Sequence, residues 1–194
     1  NLISSLAYNP YGIEQPVDSQ GNLNGTAAWD TDWKGAILNK NAYKKQHGLS
    51  ISGGSEKTTF YMGTNYIKEQ GQVKTTYFER FATRINVDSE VNDFIKSGLN
   101  VSYSTSKQNS PNQSGTSFSN SIQWIYTIPS YYPLYQREAE GTLFKNAGGL
   151  PQFDYGSNNS QIVNGVRPAL SNENGLGAIM NNEMLKTRTC ASMN

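Results

Sequence analysis

Residues that usually carry enzyme chemistry or covalent cross-links are scarce in this 194-residue sequence, which has one cysteine, Cys190, and one histidine, His47. A single thiol excludes an internal disulfide framework. A single imidazole, with no cysteine or histidine at ligand spacing, removes most histidine-based catalysis and the common zinc sites, and His47 reads as a residue at a strand start. Gly-x-Gly-x-x-Gly, phosphate-loop and Gly-x-Ser-x-Gly patterns are missing as well. The sequence therefore predicts no enzyme, no cofactor and no metal. Charge of one sign is also lacking: 16 basic against 15 acidic residues leave a net charge of +1. That is neither the footprint of a nucleic-acid binder nor a polybasic membrane clamp, and no nucleic-acid partner is expected.

The last absence is a long hydrophobic run. Without a stretch of about 18 apolar residues there is no transmembrane helix, but a β-barrel needs none, because strands of about nine to eleven residues suffice to cross. Hydrophobic residues make up 36%, below the roughly 45–50% of soluble domains when glycine is counted. Asn1 to Leu6 show no basic region followed by an apolar stretch and a cleavage site, so an exported protein with this start is expected to begin further upstream.

What is present is alternation. Over His47–Ser106, four successive segments change side-chain type at every residue, the period of a strand with two different faces. Ile95, Ser97, Leu99, Val101 and Tyr103 share one face against Lys96, Gly98, Asn100, Ser102 and Ser104. Phe81, Thr83, Ile85 and Val87 oppose Arg80, Ala82, Arg84, Asn86 and Asp88. Phe60, Met62, Thr64 and Tyr66 oppose Thr59, Tyr61, Gly63 and Asn65, and a short first segment places Leu49 and Ile51 together. The result is an antiparallel meander with one apolar and one hydrophilic surface. Its connections are unequal. Gly53–Lys57 and an acidic turn around Ser89–Asn92 are brief and fall at one end. The other end carries Glu69–Thr75 and then a segment after Ser106 far longer than a connection inside a compact domain. Short turns at one end and long loops at the other are the asymmetry of outer-membrane barrels.

The ordered set Thr31-Asp32-Trp33, His47-Gly48-Leu49-Ser50-Ile51-Ser52-Gly53-Gly54-Ser55-Glu56-Lys57-Thr58, Tyr61, Tyr66, Gly71, Phe78-Glu79-Arg80, Arg84-Ile85-Asn86-Val87-Asp88 and Lys96-Ser97-Gly98-Leu99-Asn100-Val101-Ser102 resembles the SusC/RagA-type TonB-dependent outer-membrane transporters of Bacteroidetes-like bacteria. The resemblance covers about residues 29 to 106, and loop texture like that family's, including Arg167-Pro168, continues toward residue 180. Gly48 stands where the family commonly has asparagine. The resemblance implies a barrel in the outer membrane of a Gram-negative cell, closed by a plug domain. It also implies a SusD-like lipoprotein lid, the TonB–ExbB–ExbD complex as energy source, and import of glycans, peptides or similarly bulky nutrients.

The expected fold is thus all-β: an antiparallel meander forming part of a transmembrane β-barrel, with long extracellular loops containing short helical turns. Residues 1–45 read as a surface loop with a short helix capped by Asp30 or Thr31, and residues 46–106 as four barrel strands. Residues 107–180 read as a long extracellular loop with one or two helical turns over Ser119–Tyr126, and residues 181–194 as the start of a further strand. Arg80, Arg84 and Asp88 are expected to face the lumen, in an ion-pair network or against a plug. Tyr66, Tyr77, Phe78 and Tyr103 would form part of an interfacial girdle. Trp124, Tyr126, Tyr131, Tyr132 and Tyr135 are the candidates for ligand or partner contact, since aromatic faces stack on sugar rings and apolar groups. Asp18–Gly25 resembles a calcium loop only superficially, because Gln20 stands where Asp or Asn is required. Asp30 with Asp32 and Glu138 with Glu140 are pairs that any acidic loop produces. The alternative is a soluble β-sheet carbohydrate-binding or adhesin-type module, which needs a second set of apolar faces to cover the first.

Overall fold

A computed structural model describes residues 18–20, 22, 30–110, 120–137, 142–156, 167, 170, 172–181 and 185–194. Of the loop region expected over residues 1–45, residues 1–17, 21 and 23–29 lie outside them, as does the Glu138/Glu140 pair. The chain divides into two compact units, one formed by residues 39–111 and 183–194, the other by residues 1–38 and 112–182.

The first unit is a five-stranded antiparallel meander in the order β1-β2-β3-β4-β5, comprising β1 (Tyr43–Gly54), β2 (Thr58–Gln70), β3 (Tyr77–Asn92), β4 (Ile95–Asn109) and β5 (Leu185–Met193). Strand β1 is longer than the short segment read from the sequence, because Tyr43 to Gln46 stay in register with Ile67 to Gln70 despite their weak alternation. The β3–β4 hairpin turns later than Ser89–Asn92. Both strands run on through a bulge at Glu90/Asn92, and Asn92 makes the bend by accepting from the amides of Phe94 and Ile95 through Oδ1, an Asx turn. Gly71 N donates to Thr76 O at the opposite end, where Thr75 adopts a positive φ of 69°. Residues 110–184 connect β4 to β5 from that same end.

Register fixes the two faces. One row runs Ile51–Met62–Ile85–Val101–Met193, and the next apolar row runs Gly53–Phe60–Val87–Leu99. Leu99 is 44% exposed, Phe81 38% and Ile85 36%, so no second layer of described residues covers them. Hydroxyls on this apolar face pair with one another across strands: Thr58 with Ser89 at 2.9 Å, Thr64 with Thr83 at 3.2 Å and Thr105 with Thr189 at 3.3 Å. At the long-connection edge of the apolar band the Tyr66 hydroxyl donates to Glu79 Oε1 over 2.8 Å, and Lys45, Lys68, Glu79 and Lys107 form a charged row. Phe78 differs from the girdle expectation: its register partners Glu69 and Gln108 place it on the polar face.

Among the described residues, the second unit holds three short helices, α1 (Trp33–Ile37), α2 (Ser121–Thr127) and α3 (Gly175–Asn181). Helices this short are marginal alone; burial holds them. The cap of α1 is Asp32, whose side chain accepts from Gly35 N, one or two residues beyond the expected position. Trp33 packs on Trp124 with ring centroids 5.0 Å apart, and Ile37, Leu176 and Ile179 are buried. A polar knot is buried with them. Arg167 Nη2 lies 3.2 Å from Asp154 Oδ1 and also donates to Asp154 O. Asn174 caps α3 by accepting from Leu176 and Gly177 amides while donating to the carbonyls of Leu134 and Asp154.

Candidate functional site

The polar face of the sheet is built by the alternate residues of the same strands. The row Gly48–Asn65–Ala82–Ser104–Cys190 is flanked by Ser50–Gly63–Arg84–Ser102–Ser192 on one side and by Gln46–Ile67–Arg80–Ser106–Arg188 on the other. Small side chains at the centre leave a hollow of about 680 Å³ over this face. A Cβ at Gly63 would come within 2.6 Å of the Tyr61 hydroxyl, so a larger residue there would turn the Tyr61 ring aside.

Arg80 and Arg84 both line the hollow. Arg84 Nε donates to Asn86 Oδ1 at 3.0 Å, a contact between residues two apart on one face. Asp88 lies on the same face further toward the short turns, in register with Thr59 and Gly98. Among the described residues, ion pairs join Lys44 to Glu69, Lys96 to Glu90 and Arg167 to Asp154; neither Arg80 nor Arg84 is paired with Asp88. Sequence reasoning did not single out Cys190 and Arg188. Their signal was the parity of β5: Lys186, Arg188, Cys190 and Ser192 alternate against Leu185, Thr187, Thr189 and Ala191.

The aromatic candidates belong to the second unit and separate into two kinds. Trp124 is 0% exposed against Trp33, and Tyr132 is 3% exposed, with the Arg167 guanidinium 5.0 Å over its ring. Tyr135 stacks on Phe153 at 5.3 Å, and Tyr131 meets Tyr132 edge-on at 5.2 Å. Tyr126 is 82% exposed. The rings of Trp124 and Tyr132 are therefore committed to the core of their own unit, and Tyr126 presents its ring to solvent. The Asp18 carboxylate is likewise engaged: it accepts from the amides of Gln20 and Asn22, each at 2.8 Å, and so holds a turn.

No family model matches the chain. It is similar to TonB-dependent receptor P26 of Formosa agariphila, 36% identical over 84 residues, which is 43% of this chain and 8% of that protein. TonB-dependent receptor SusC of Bacteroides thetaiotaomicron is 29% identical over 108 residues, 55% of this chain and 10% of SusC. The chain thus spans about a tenth of the length of the curated relatives it matches. A solved structure of the RagAB peptide transporter aligns with a TM-score of 0.45 and 25% identity, over 71% of this chain and 15% of that one. In sequence, the chain is similar to stretches of TonB-dependent receptors, SusC among them.

Proposed function

We propose that this chain contributes part of the wall, and part of the loop mass, of a TonB-dependent outer-membrane transporter that imports bulky nutrients such as glycan fragments or peptides. One observation carries the reading: a five-stranded sheet whose apolar face is uncovered while its other face is polar and hollow. In water such a sheet would bury its apolar face against a second layer; in a bilayer that face is already in its solvent. The edges of β1 and β5 leave backbone groups that further strands would pair, since spanning sheets must close. A SusD-like lipoprotein lid and the TonB–ExbB–ExbD complex are the partners this reading brings, with outer-membrane lipid around the apolar band. Tyr126 is the aromatic best placed to meet a ligand or lid. Arg80, Arg84 and Asp88 face the lumen.

Phase partition of the full-length protein from its native membrane tests the reading. Recovery with the detergent phase is expected. Recovery in the aqueous phase without detergent would refute it and favour a soluble β-sheet binding module.

A further inference from the structure

The polar face carries more positive charge than its own contacts consume. Register leads from Arg80 through Ser106 to Arg188, and Arg188 stands two residues from Cys190 in one strand, hence on one face. Two guanidinium groups, those of Arg80 and Arg84, line the hollow beside a floor of Gly48, Gly63, Ala82, Ser102 and Ser104, Arg188 stands in the Arg80 row just outside it, and no aspartate or glutamate is among the lining residues. Of the acids sharing this face, Glu69 is held by Lys44 and Glu90 by Lys96, while Asp88 lies beside Gly98 toward the short turns. Arginine offers a planar fork that matches carboxylate and sulfate oxygens in pairs.

We propose that this hollow is a binding site for an anionic solute, one bearing carboxylate or sulfate groups, gripped by Arg80 and Arg84, with Arg188 in the neighbouring row adding positive charge at its edge. Its volume of about 680 Å³ falls within the roughly 300–1,000 Å³ of small-ligand sites. Its lining adds the hydroxyls of Ser50, Ser102 and Ser104 and the amide of Asn65, groups that can hydrogen-bond the oxygens of such a solute. The site rests on the transporter reading only for the solute's route to it; the cationic hollow itself is a property of the sheet.

Cys190 lines the same hollow and is exposed, which makes it a built-in reporter. In the full-length protein, with any other cysteine replaced by serine, a sulfonate-bearing methanethiosulfonate is compared with a trimethylammonium-bearing one, each normalised to free cysteine. The expected preference for the anionic reagent is about three- to tenfold at low ionic strength, shrinking as salt screens it. It should fall to about one in R80Q/R84Q/R188Q and persist in R80K/R84K/R188K, which keeps the charge. Citrate should slow the reaction, and sucrose should not. Equal rates for the two reagents overturn the proposal. So does failure of citrate to protect, and so does a Cys190 that neither reagent reaches, for the face would then be filled by protein. Anion preference in a protein that partitions into water would keep the site and sink the transporter reading, so the two failures are distinguishable.

Discussion

Placing arginine at Ile85, in place of alanine, probes the solvent of the apolar face. Ile85 lies on β3 between Glu79, which ends the apolar face at the long-connection edge, and Glu90, on the polar face beside the short turn. At about 3.4 Å per residue and a tilt of about 40°, that stretch rises about 29 Å along the membrane normal, close to the roughly 25 Å apolar band of such barrels. Ile85 sits near its middle, where an arginine costs about 2–4 kcal/mol, or about 30- to 900-fold in the folded-to-unfolded ratio. Asn86 is the next residue and points to the other face; Asn86→Arg should stay within about 0.5 kcal/mol. Phe81, nearer Glu79, should tolerate arginine at about 0–1 kcal/mol relative to alanine. Denaturant titration of the full-length protein in lipid vesicles reads all three. A cost at Asn86 equal to that at Ile85, or a cost at Phe81 that does not fall toward the band's edge, would refute the assignment of faces and solvent.

Other expectations concern the helical unit. Arg167→Met leaves the Asp154 carboxylate buried without its cation, and losing one partner of a buried pair costs about 3–5 kcal/mol; limited proteolysis should then cut within residues 112–182 at much lower protease concentration than in the parent. Gly156 has a φ of +64°, and a Cβ there would fall on the Arg167 side chain, so Gly156→Ala should destabilise by about 1–3 kcal/mol of overpacking plus the left-handed strain, read by the same digestion. Asp32→Ala removes the bond to Gly35 N and should cost about 0.5–2 kcal/mol, visible as earlier thermal loss of near-ultraviolet dichroism from Trp33 and Trp124. Tyr126→Ala should leave stability unchanged within about 0.5 kcal/mol, while weakening capture of transported solute in a binding assay.

The sheet was legible in the sequence because strand parity is a local property: once Ile85 and Arg84 point opposite ways, register carries the assignment to Ser102 and Gly63. The limits of legibility were equally physical. Strand β1 extends to Tyr43 because β2 is long enough to pair with it, which no pattern within Tyr43–Gln46 reveals. The turn at Asp93–Phe94 depends on one asparagine side chain and on a bulge. Trp124 and Tyr132 read as ligand candidates since composition marks them as aromatic; their burial depends on Trp33 and Arg167, far away in the chain. The hollow was legible only in retrospect, through the small residues Gly63, Ala82 and Ser104 falling side by side from three separate strands.

The outward hydroxyl pairs, Thr64 with Thr83 and Thr105 with Thr189, bear on how such strands are recognised. A hydropathy scale scores each threonine as though its oxygen sought water, yet here two oxygens answer each other across neighbouring strands. Replacing both members of a pair with valine should therefore be milder than replacing one, since the single change strands a lone hydroxyl. Oiliness in this sheet is a property of neighbours taken two at a time, which is how a chain of mean hydropathy −0.63 can present a largely apolar face.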